Sequence, residues 1–293
     1  MRTRSSHQIT FDLQQLPLDA QLSLRDTLID ALAIYAAGPR VVQTQLCLSL
    51  AALALQLPES HWPNVVPGMI DRFGKSPDTV NVLLEFLSVL PEEVAQNHRI
   101  PVSNATYHER MPQLLTQQAT VVLELLSMYI RADGVTTSIQ ETIFHCLRSW
   151  LKAGEVSANQ LAATPLLPLT FEALESDALF DVAVDVLCDL IHETQEIDEN
   201  QAVIQMLLPR IQALRPALVQ AGDDEDRVRG LCRIFVQAGE TYHTLFLQHT
   251  NELLPIVQAI LECASYHDLD IVQITFRFWY LLATHVHKAA AEH

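Results

Sequence analysis

The sequence is poor in glycine, in basic residues and in long apolar runs. Only 8 of its 293 residues are Gly, too few for an all-β chain, whose tight turns need residues that tolerate positive φ. Lys and Arg number 18 against 35 Asp and Glu, a formal net charge of −17. A deficit of this size works against nucleic-acid binding, which needs a basic face to displace counterions, and it favours basic partners. The longest apolar stretch, Leu46 to Leu57, is interrupted by Ser49 and Gln56. It falls well short of the roughly 20 residues that span a bilayer, so no membrane role is expected. The opening MRTRSSHQ has no apolar core behind it and does not read as a secretory signal. Five cysteines at wide spacings make no disulfide framework, which fits a reducing cytosolic or nuclear setting. GxGxxG, the P-loop and GxSxG are absent, and no Cys/His nucleophile set stands out, so an enzyme is not expected.

What the chain has in quantity is helical periodicity. Length alone suggests about two domains, and 49% hydrophobic residues exclude a disordered acidic tail. Apolar stripes recur at helical spacing, as in Val42/Leu46/Leu50/Leu53/Leu57, Val80/Leu83/Leu84/Leu87/Leu90 and Val228/Leu231/Phe235/Tyr242, without strand-like alternation. Pro39 and Pro77 sit where helices begin. Thr106-x-x-Glu109, Ser138-x-x-Glu141 and Ser157-x-x-Gln160 have capping-box form. Pro58, Pro91 and Gly154 are expected to close helices. Second helices of successive pairs are predicted to start near 39, 77, 137, 177, 223 and 267, at intervals of 38, 60, 40, 46 and 44. Their first-helix partners are predicted over about 18–37, 60–73, 105–131, 157–174, 200–221 and 251–265.

A two-helix unit of about 40–47 residues is the HEAT or armadillo period. The expected fold is therefore all-α: a right-handed α-solenoid of HEAT-like helical hairpins, about six repeats, with residues 1–293 as one segment rather than two domains. Cys47, Cys146, Cys188 and Cys232 recur at similar depth in second helices, as small buried residues do. Terminal repeats usually carry a polar cap. Here Ile9–Leu13 opens apolar and Trp279-Tyr280-Leu281-Leu282 closes the last helix, so both ends are expected to be uncapped and the chain to be part of a longer solenoid.

Charge is concentrated. Between Lys152 and Arg210 lie 11 acids and no Lys or Arg. Asp177, Asp181, Asp185, Asp189 and Glu193 step by four, forming a carboxylate ridge on one helical face opposite Val182, Val186 and Leu190. Like charges at that spacing cost a few tenths of a kcal/mol each, and with no lysines interleaved the repulsion looks uncompensated. The ridge is therefore the candidate docking surface for a Lys/Arg-rich partner. A second cluster, Asp223, Asp224, Glu225 and Asp226, fits the positive end of the next helix, where capping explains most of it. Metal readings are weaker. Cys188 and His192 have no matching second pair for zinc. His285-x-His287 spans two faces. His108-Glu109 and His192-Glu193 do not hold the equivalent positions that a di-iron HEAT-type hydroxylase would need. No cofactor is expected.

ITFDLQQLP (9–17), GPRVVQTQLCLSLAALALQLP (38–58), LLEFLSVLPEEV (83–94), FHCLRSWLKAG (144–154), CRIFVQAGETY (232–242) and ITFRFWYLL (274–282) resemble, in order, the transportin-SR group of nuclear import receptors in the importin-β superfamily. The fungal members called mRNA transport regulators are the most similar in kind. VLPEEV and FRFWYLL are the more specific markers. The resemblance implies a karyopherin segment from the N-terminal portion, lacking the first repeat and the C-terminal repeats. It also implies a receptor carrying protein cargo, arginine/serine-rich proteins above all, into the nucleus under Ran-GTP control. The implied partners are Ran in its GTP form, basic or RS-rich cargo and FG-nucleoporins, with shuttling between cytoplasm and nucleus. In that superfamily second helices line the concave face, which would turn the ridge toward Ran or cargo. The alternatives are a HEAT scaffold without a transport role and a HEAT-type metal-dependent hydroxylase.

Overall fold

The computed structural model describes residues 13–95 and 100–291; Ile9 to Asp12, part of the expected apolar opening, lie outside them. Among the described residues the chain is helical with no strand, and no helix is long and apolar enough to cross a membrane. The chain divides into two compact units, residues 1–156 and 157–293.

In the first unit the helices are α1 (Leu18–Ile34), α2 (Arg40–Gln56), α3 (Val65–Phe73), α4 (Pro77–Ala95), α5 (Asn104–Leu114), α6 (Ala119–Tyr129) and α7 (Thr137–Lys152). Helices α2, α4 and α7 pack side by side as a row of second helices, with α1, α3 and α6 each packed on the second helix that follows. In the second unit they are α8 (Ala158–Ala162), α9 (Leu166–Ala173), α10 (Phe180–Glu193), α11 (Ile197–Gln212), α12 (Arg215–Ala221), α13 (Glu225–Tyr242), α14 (Thr250–Ala264), α15 (Leu269–Ile274) and α16 (Phe276–Ala291). Here α10 packs on α13, and α13 on α14, α15 and α16. The second helices start at Arg40, Pro77, Thr137, Phe180, Glu225 and Leu269, within three residues of the expected positions.

Three of the first helices are broken where the sequence predicts one continuous helix. Residues 105–131 fold as α5 and α6, 157–174 as α8 and α9, and 200–221 as α11 and α12. Pro165 and Pro216 stand at the last two breaks, each at the start of the following helix where its missing N–H costs nothing. Ser157 closes the capping box as expected: its side chain accepts from the Gln160 amide, and Gln160 returns a bond to the Ser157 amide. The other two boxes are displaced. Ser103 Oγ, not Thr106, caps α5, and Thr136 Oγ1, not Ser138, caps α7, because an earlier hydroxyl stands three residues before a free N–H in each case. Gly154, at φ 73°, ends α7 as expected.

Pro91 does not close a helix; α4 runs through it to Ala95. An internal proline removes one helical N–H and leaves the carbonyl four residues back unpaired. That carbonyl, on Leu87, accepts instead from the fully buried indole of Trp150 at 2.9 Å. One residue on, Glu92 Oε1 accepts from Ser149 Oγ at 2.8 Å. The VLPEEV marker and the Ser149-Trp150 pair of FHCLRSWLKAG therefore meet in one joint between α4 and α7.

The core lies along the second helices. Helix α4 buries ten residues and α13 another ten, each fully buried Leu or Val contributing about 1.5–3 kcal/mol. In α13, Gly230 and Gly239 permit close approach: a Cβ at Gly230 would overlap the Phe180 ring, and one at Gly239 would come within 2.7 Å of Ile260 and Phe278. The first and last long helices are different, with Leu32 alone buried in α1 and Phe278 alone in α16.

Candidate partner-binding surface

The acidic ridge is built on α10 and the turn before it. Val182, Val186 and Leu190 point into the core, which forces the i+4 series Asp181, Asp185, Asp189, Glu193 onto the opposite side. Asp177 and Asp181 are exposed, while Asp185, Asp189 and Glu193 are half-buried. Partial burial pushes the Glu193 carboxyl above the usual carboxylate range, with His192 opposing and Asp189 adding to the shift.

The expectation that this repulsion is uncompensated is wrong. The neighbouring second helix α13 supplies the cations. Arg233 Nη2 meets Asp185 Oδ1 at 2.6 Å and Arg227 Nη2 meets Asp177 Oδ1 at 3.0 Å. Burial works to lower the Arg233 pKa, but its bond to Asp185 and the charges of Cys188, Asp185 and Asp189 lift it above the ordinary guanidinium value. Arg227 also donates to the Leu174 carbonyl at 3.3 Å and stands 5.0 Å from the Phe180 ring centroid, closing the C-terminal end of α9. Asp181 is the ridge member that is exposed and has no ion-pair partner among the described residues.

The second cluster behaves as helix chemistry predicts. Asp224 Oδ1 accepts from the Arg227 amide at 3.1 Å as the N-cap of α13, and Glu225 and Asp226 occupy its first turn. Asp226 pairs with Arg229 at 2.8 Å and Glu225 approaches His267 Nε2 at 3.7 Å. Asp223 lies exposed before the cap. Arg229 reaches onward to Asp268, the N-cap of α15, at 3.5 Å. Glu240 meets Arg277 of α16 at 3.4 Å, and burial raises the Glu240 carboxyl pKa against the pull of Arg277 and His243.

Three of the four recurring cysteines, Cys47, Cys146 and Cys232, are buried, and Cys188 is intermediate. Cys47 Sγ lies 3.8 Å from the Val82 carbonyl and Cys232 Sγ 4.0 Å from that of Ile271, each on the next second helix. Burial pushes the Cys146 thiol up to about 12, and raises those of Cys47 and Cys232 as well, the bond to Cys263 adding most for Cys232. These are packing groups. His108 and Glu109 lie on first helix α5 whereas His192 and Glu193 end second helix α10, so the two pairs hold non-equivalent places. Among the described residues no three His, Cys, Asp or Glu side chains cluster as a metal site.

Sequence reasoning missed Arg229, which pairs with Asp226 and Asp268, and Arg227 and Arg233, which lie about fifty residues beyond the ridge acids they neutralise. Their spacing, two arginines six apart facing acids eight apart on the preceding second helix, was the available signal. It also missed Arg110. That residue is 2% exposed and donates to the Ala54 and Trp62 carbonyls and to Gln113 Oε1. Burial lowers its pKa, with Glu59 and Glu109 opposing. It ties α5 to the C-terminal end of α2.

Repeated helical hairpins are the units of a solenoid, and comparison with known proteins places the chain. Residues 39–187 match the family model described as Exportin 1-like protein, and residues 223–293 match the Transportin-3/Importin-13 second TPR domain. The chain is 34% identical over 277 residues to the uncharacterized protein C11G11.07 of Schizosaccharomyces pombe, covering 93% of this chain and 29% of that one. It is 31% identical over 296 residues to the mRNA transport regulator MTR10 of Saccharomyces cerevisiae, covering 94% and 29%. Its fold matches a solved structure of importin 13 in the cytosolic state with a TM-score of 0.68 at 17% identity, over 92% of this chain and 35% of that one. The chain belongs to the exportin 1-like family, and its residues 223–293 are similar to the transportin-3/importin-13 second TPR domain. That family comprises importin and exportin transport receptors, which are not enzymes. The chain spans about 29% of the length of these two relatives.

Proposed function

We propose that residues 1–293 are one solenoid segment of a nuclear transport receptor. The receptor carries protein cargo, including arginine/serine-rich proteins, into the nucleus under Ran-GTP control, touches FG-nucleoporins in transit and shuttles between cytoplasm and nucleus. The observation that carries this reading is the family match across both units. The chemistry agrees with it: a net charge of −17 suits basic cargo and disfavours direct nucleic-acid binding.

Within that reading the ridge Asp177, Asp181, Asp185, Asp189 and Glu193 is the contact for a basic partner surface, with Asp181 as its free member. An incoming arginine competes with Arg227 for the 97% exposed Asp177 more readily than with Arg233 for the half-buried Asp185. The test uses the full-length receptor and an Arg-Ser repeat peptide. Asp181→Asn weakens binding and flattens its salt dependence, and Asp185→Asn does so less. Unchanged affinity and salt slope in Asp181→Asn would reduce the ridge to a solvated face.

A further inference from the structure

We draw no further inference here: the strongest candidate, the apolar cleft between α11 and α14 lined by Ile197, Ile204, Leu208, Leu245 and Leu253, carries nothing because nothing in the structure shows what covers it.

Discussion

Neighbouring second helices in residues 1–156 are joined mostly by hydrogen bonds from uncharged donors onto backbone carbonyls or carboxylates, whereas those in 157–293 are joined by arginine–carboxylate pairs. The first set includes Trp150 to Leu87, Ser149 to Glu92, Thr44 to Glu85 and Cys47 to Val82; the ion pair of Arg40 with Glu85 is long at 3.8 Å. The second set comprises Arg227–Asp177, Arg233–Asp185, Arg229–Asp268 and Arg277–Glu240. Charge follows the same division. Residues 1–156 carry 11 Lys and Arg against 15 Asp and Glu, a difference of −4, and residues 157–293 carry 7 against 20, a difference of −13. One helical scheme thus tolerates two kinds of joint. The one made of ions leaves a large acidic surplus after its own arginines are spent, and that surplus is what a basic partner can use.

The comparison breaks most visibly at the neutral joint. Trp150→Ala empties a large buried site and orphans the Leu87 carbonyl, at a cost of about 3–5 kcal/mol in urea unfolding. Trp150→Phe keeps most of the ring and loses only the N–H donor, costing about 1–3 kcal/mol. Adding Pro91→Ala restores a helical N–H to Leu87 and recovers part of that loss; strictly additive effects would show that the indole bond does not compensate for the proline. Next in size is Gly230→Ala, where the new methyl meets the Phe180 ring. The expected loss is about 1–3 kcal/mol, read as faster amide exchange in α10 and α13, with α4 and α7 unchanged.

Smaller still is the ionic joint itself. Arg233→Gln breaks a pair whose partners are 42% and 23% exposed, so the loss is at most about 1 kcal/mol after solvent screening. Raising salt mimics it: amide exchange in α10 and α13 speeds up between low and high ionic strength while α4 and α7 hold steady. Equal salt sensitivity in both units would erase the distinction. The last effect appears only at alkaline pH. The Cys47, Cys146 and Cys232 thiols have folded pKa values raised above the ordinary value of 9.0. Above pH 9 the unfolded chain releases these protons and the folded chain keeps them, so stability falls as pH rises. Each thiol contributes up to about 1.4 kcal/mol per pH unit, measured as a drop in the urea midpoint that Cys146→Ala reduces.

Most of the helical order was legible from local chemistry. Pro39, Pro77 and the Ser157/Gln160 box mark helix starts through bonds made within four residues, and the i+4 acids had to share a face once Val182, Val186 and Leu190 were core. What local reading missed was satisfied from far along the chain. Pro91 looks like a terminator until Trp150, 59 positions later in the sequence, is seen to take the carbonyl it frees. The ridge looks unpaired until Arg227 and Arg233 arrive from the next second helix. Gly230 carries no local signal, because its reason is the Phe180 ring on α10. The short offsets, Ser103 for Thr106 and Thr136 for Ser138, come from two hydroxyls competing within one turn.

The claim that matters most is that this solenoid segment belongs to a receptor switched by Ran. The direct measurement is binding of the full-length protein to immobilised Ran loaded with GTP or with GDP, in the presence and absence of an arginine/serine-rich protein. The account predicts selective binding of the GTP form and release of the basic protein when that form binds. Equal binding to both nucleotide states, or retention of the basic protein in the presence of Ran-GTP, would contradict it.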